Sequence, residues 1–185
     1  MIYIISGASR AGKTLVAQQL AAQKGISYFS LDWLVMGFTN GIPEYGVHDL
    51  LFPDEIAERS WSFIKAMLES MLYSDIDYII EGEAILPELF TQLLEKHPNK
   101  LNICFLGFTQ VDPNEKMSSI KKYSTGETDW LSDKTDAYIL DHIKNMIAHS
   151  IKIEKSCAAT GLTYFDTSKD FTATMERAIS YLLDE

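Results

Sequence analysis

The chain has 185 residues, 46% of them hydrophobic, which suits one compact domain spanning residues 1–185 and leaves little for a second core. Sixteen Lys and Arg against 26 Asp and Glu give a net charge of -10, so a broad surface for DNA or RNA is excluded and any anion must be gripped locally. No apolar run approaches the roughly 20 residues needed to cross a bilayer, the start MIYIISG lacks a basic export region, and Cys104 and Cys157 are too few for a disulfide framework. The expectation is a cytoplasmic protein, monomer or homodimer, with neither nucleic acid nor membrane as a partner.

The first apolar run, Ile2 to Ser6, reads as a buried strand. It leads into Gly7-Ala8-Ser9-Arg10-Ala11-Gly12-Lys13-Thr14, which fits G-x-x-x-x-G-K-[ST], and then into a helix from Thr14 to Lys24 that stops at Gly25. Glycines at those two places let the backbone wrap tightly, so that several N–H groups converge on phosphate oxygens and the helix adds its positive dipole end. The pattern places Lys13 on the β and γ phosphates of a nucleoside triphosphate, Thr14 on Mg²⁺, and Arg10 as a further donor from the loop. Backbone dipoles, one Lys and a metal can hold such an anion despite the acidic total.

Ile26 to Leu31 reads as the second strand, and Ser30-Leu31-Asp32-Trp33 puts Asp32 at its end. An Asp there serves either as a base toward an attacking hydroxyl or as the N-cap of the next segment. Gly37 to Asp49, with three glycines and Pro43, fits neither period and reads as a long connection. Trp33, Phe38, Tyr45 and Trp130 can wall an acceptor pocket or simply be buried, and Arg59 is the one residue near that connection able to hold an anionic acceptor. Phe63, Ile64, Met67, Leu68, Met71 and Leu72 mark a helix stripe.

Tyr78 to Ile80 reads as the third strand, ending in Glu81-Gly82-Glu83. Glu81 suits the metal side through a coordinated water, or caps a following helix, and Glu83 stands beside it near the acceptor. Leu101 to Phe108 is the fourth strand, with Cys104 inside it. Asp112 to Thr135 is polar, lacks a stripe until its end, and carries Lys116, Lys121, Lys122 and Lys134 with Glu127, Asp129 and Asp133 but no arginine. Lys121 and Lys122 either supply point charges to a lid or form a solvated helix face. Ile139 to Ile151 is a helix on which His142 and His149 share a face at a spacing wrong for a metal pair; Leu162 to Phe165 is the fifth strand, and Phe171 to Leu182 the last helix. The β-α alternation implies a three-layer α/β/α architecture with a five-stranded, mostly parallel sheet and ligands at its carboxyl ends.

Taken together, these segments resemble the P-loop small-molecule kinases related to the nucleoside and nucleotide kinases, including shikimate kinase and the chloramphenicol phosphotransferases. The resemblance implies sheet order 2-3-1-4-5, an acceptor-binding insert over about 33–75 and a lid over about 112–135. It implies an ATP- and Mg²⁺-dependent transfer of a γ-phosphoryl group to a hydroxyl of a small molecule, with Lys13 and Asp32 catalytic, Gly7 to Thr14 on the nucleotide, and Asp32, Trp33, Arg59 and Glu83 facing the acceptor. Nucleotide kinases put several arginines in the lid, and this chain has three in all, Arg10, Arg59 and Arg177. That departure keeps an alternative open, a nucleotide-binding regulator or pseudokinase of the same fold. The acidic residues Glu44, Asp49, Glu81 and Glu83 disfavour a multiply anionic acceptor.

Overall fold

The computed structural model describes residues 1–124 and 129–184. Its five strands are β1 (Ile2–Gly7), β2 (Tyr28–Ser30), β3 (Tyr78–Gly82), β4 (Leu101–Gly107) and β5 (Thr163–Asp166). Among the described residues the α-helices are α1 (Lys13–Lys24), α2 (Leu31–Gly41), α3 (Pro53–Tyr73), α4 (Thr91–Lys96), α5 (Pro113–Lys122), α6 (Asp136–Thr160) and α7 (Phe171–Leu183). All strand pairs are parallel and the order is β2-β3-β1-β4-β5, as the resemblance implies. The reversal of winding on either side of β1 opens a crevice at the carboxyl ends of β1 and β3, where Gly7 and Gly82 lie.

Alternation along the strands divides the core by sheet face. Ile2, Ile4, Ile80, Ile103 and Phe105 pack with Leu31 and Val35 of α2 and Ile64, Leu68 and Leu72 of α3. Tyr3, Ile5, Ile79, Cys104 and Leu106 pack on the other side with Val16 and Leu20 of α1 and Met175 and Ile179 of α7. Helix α6 serves both, through Ile143 and Met146 in its first half and Ile153 and Cys157 in its second. Cys104 and Cys157 are buried free thiols, and burial pushes the Cys157 thiol up to about 12.

Several boundaries differ from the sequence reading. The second strand is only Tyr28–Ser30, because the Ser30 hydroxyl accepts from Asp32 N–H and caps a helix beginning at Leu31. The supposed connection at Gly37 to Asp49 is therefore helical through Gly41 and continues as a 3-10 turn at Pro43–Tyr45. The polar Asp112 to Thr135 stretch contains α5, capped by the Asp112 carboxylate on Asn114 and Glu115 N–H. Glu127 lies outside the described residues.

Candidate active site

The loop from Gly7 to Gly12 closes tightly. A Cβ at Gly7 would stand 1.8 Å from the Leu106 carbonyl oxygen, and one at Gly12 would stand 2.7 Å from Met175 Sδ; both glycines have positive φ, 124° and 98°. Arg10 itself takes a left-handed φ of 62°. Gly12 is the N-cap of α1 and has no side chain to accept the helix's first N–H groups, which lack intrahelical acceptors by construction. They are the donors that an anion would satisfy, so the cradle fits a phosphate tail.

Lys13 is 8% exposed, and its Nζ donates to the Ala8 carbonyl at 2.8 Å, folded back over the loop. Two carboxylates, Glu81 and Glu83, feel its charge, and both also feel Asp32. Glu81, on β3 and 1% exposed, accepts from the Thr14 hydroxyl at 3.3 Å. Burial raises its pKa, against the hydrogen bond from Ser30 and the charge of Lys13, while Asp32 raises it further. Glu83 Oε1 accepts from Ser9 N–H at 3.2 Å, and burial raises its pKa as well, opposed by Lys13 and reinforced by Asp32. Asp32 stands exposed in the first turn of α2. The fold thus brings Lys13, Thr14, Asp32, Glu81 and Glu83 into one electrostatically coupled group. An exposed hydroxyl beside a desolvated carboxylate suits a hard divalent ion that completes its octahedron from phosphate and water.

Other expected residues have partners of their own. The Arg10 guanidinium is held by both oxygens of Asp129, whose side chain is 2% exposed, and sits 5.7 Å from the Trp130 ring centroid. Burial pushes the Asp129 carboxyl up, but Arg10 and Leu131 N–H outweigh it and hold it below the usual range. Arg59 donates to the Gly46 carbonyl at 2.8 Å and pairs with Glu55 at 3.6 Å. Trp33 is 61% exposed and packs edge-on to Phe29, whereas Phe38 is buried and stacks on Tyr45. Lys121 pairs with Asp136 and Lys122 lies over Tyr123, so neither is engaged with the loop.

Lys116 is the cation of α5 that reaches the loop, donating to the Arg10 carbonyl at 3.0 Å above the Phe108 ring. Burial lowers its pKa to about 8. Asp166, at the end of β5, accepts from Thr109 N–H at 3.1 Å and Ser168 N–H at 2.7 Å, tying the segments after β4 and β5 together. Neither role has a local sequence signal beyond a single charge, one on α5 and one at the end of β5.

No protein-family model matches the sequence, and no curated protein matches it. Solved structures do match in fold. A gluconokinase from Sinorhizobium meliloti 1021 superposes with a TM-score of 0.58 at 16% identity, over 98% of this chain and 90% of that one. Shikimate kinase from Bacteroides thetaiotaomicron gives 0.57 at 16% identity, over 99% and 98%. A sugar kinase from Janibacter sp. HTCC2649 gives 0.55 at 16% identity, over 98% and 93%. The chain has the α/β fold of these P-loop small-molecule kinases from end to end.

Proposed function

We propose that the protein is a small-molecule kinase that moves the γ-phosphoryl group of ATP to a hydroxyl of an acceptor, with Mg²⁺ as cofactor. The observation that carries this reading is the convergence of Lys13, Thr14, Asp32, Glu81 and Glu83 on the mouth of the glycine loop. Thr14, with Glu81 through a water, would hold Mg²⁺, which supplies neutralisation of phosphate charge. Lys13 leaves the Ala8 carbonyl for the phosphates, and the amides of residues 7–14 hold the tail in place. Asp32 takes the acceptor proton as the acceptor oxygen bonds to the γ phosphorus; the bond from phosphorus to the bridging oxygen breaks and ADP leaves. Residues 112–135 act as the lid that keeps water out, and residues 33–75 carry the acceptor region with Trp33 as an exposed flat wall.

Asp32→Asn is the direct test, read as ADP release against a panel of alcohols. The account expects kcat to fall by about 10²- to 10⁴-fold with ATP affinity retained; unchanged turnover removes Asp32 as the base. A second reading, a nucleotide-binding regulator, is favoured by one observation: the loop's arginine is committed to Asp129 instead of to the crevice. A regulator would bind nucleotide, release no ADP with any alcohol, and change its affinity for a partner protein on binding ATP.

A further inference from the structure

Beyond β3 in the chain, a cavity of about 120 Å³ lies among the start of α3, the turn Pro87–Phe90 and the middle of α6. Leu86, Pro87 and Ile153 form its apolar wall, and Asp54, Glu58, Glu88 and Lys152 supply its charges. His149 also lines it. That imidazole is only 6% exposed, and its Nε2 finds no hydrogen-bond partner among the described residues. A buried ring nitrogen without a partner is costly and uncommon, so the position calls for a group that the protein itself does not provide.

We propose that this cavity seats the ammonium group of an amine-bearing alcohol, with His149 Nε2 accepting one of its N–H bonds and the surrounding carboxylates matching its charge. The inference deepens the kinase reading and rests on it only for the fate of the alcohol, not for the binding of the amine. Three carboxylates face one lysine, and that lysine is already engaged with Asp54 at 3.4 Å, so the cavity has an excess of negative charge. Ser156 donates to Glu88, which fixes that carboxylate at the rim. Burial, ahead of the opposing charge of Asp54, lowers the His149 pKa to about 4, so at neutral pH the ring is uncharged and keeps one nitrogen free to accept. The charge of Lys13 also lowers the His149 pKa.

The test pairs binding with turnover. Glucosamine and 2-aminoethanol are compared with glucose and ethylene glycol, by titration followed in the ¹⁵N spectrum of the His149 ring and by ADP release, in wild type, His149→Gln and Glu58→Gln. Glu58 is exposed, so its variant threatens the fold least. The expected result is that an amine moves the His149 Nε2 resonance, that its neutral counterpart does not, and that each variant weakens amine binding by about tenfold or more. Equal affinity for amine and neutral compounds, an unmoved ring resonance, or no amine binding at all overturns the inference. If amines bind at His149 yet no ADP appears, the kinase reading falls and this one stands; phosphorylation of neutral alcohols only has the opposite meaning.

Discussion

Lys13 shows how much a single residue's surroundings settle. Its ammonium is nearly buried, yet it rests on a carbonyl and is coupled to two carboxylates, Glu81 and Glu83, an arrangement in which a bound phosphate tail has a ready counter-ion. Thr14 is exposed, and Thr14→Val removes its hydroxyl at small steric cost. The Mg²⁺ concentration for half-maximal ADP release is expected to rise about tenfold in that variant, measured by metal titration at saturating ATP. His149 provides a pH test. Its folded pKa near 4 lies below the unfolded value near 6.5, so unfolding takes up a proton between them; stability is full above about 6.5 and falls as pH drops toward 4. Urea midpoints at pH 7.5 and pH 5 should therefore differ less in His149→Gln than in wild type. The glycine loop was legible because its parts are contiguous: Gly7 and Gly12 take the positive φ that a tight loop needs, and Lys13 and Thr14 open the helix that follows. Arg10 was not, since its partner Asp129 lies 119 positions away and nothing local announces the pairing.

At the scale of elements, periodicity found the strands and the long helices, and short-range chemistry corrected their ends. Helix α2 escaped because Gly37, Thr39, Asn40 and Gly41 are poor helix formers, whereas Leu31, Val35 and Phe38 bury one face and override that preference. The signal that could have found it was the Ser30 cap with Asp32 in the first turn. Helix α5 escaped for the reverse reason: it has a capping Asp112, Pro113 at its start and lysines at its end, but no fully buried residue, so no stripe. The contact between the 129–131 turn and the loop gives these elements a testable coupling. Asp129→Asn leaves the Arg10 charge without its counter-ion and is expected to lower stability by about 1–3 kcal/mol, the part-exposed guanidinium limiting the loss. Amide exchange in residues 129–135 should quicken in the same variant, while β1 and β4 stay protected.

For the molecule as a whole, the net charge of -10 and the proposed affinity for a polyanion are compatible because the donors are local: backbone amides at one sheet edge, one lysine and a metal. The sheet order and the switch of winding at β1 put that edge next to the end of β3, which is the whole molecule's contribution to the proposed phosphotransfer. Mg²⁺-ATP at 100 times its dissociation constant should stabilise the fold by about 2.7 kcal/mol if the nucleotide binds only the native state. The most direct measurement is calorimetric titration of Mg²⁺-ATP into the wild-type protein and Lys13→Ala. One saturable site in wild type, weakened at least about tenfold in the variant and in the absence of Mg²⁺, is the predicted result; no binding to wild type, or equal binding to both proteins, would contradict it.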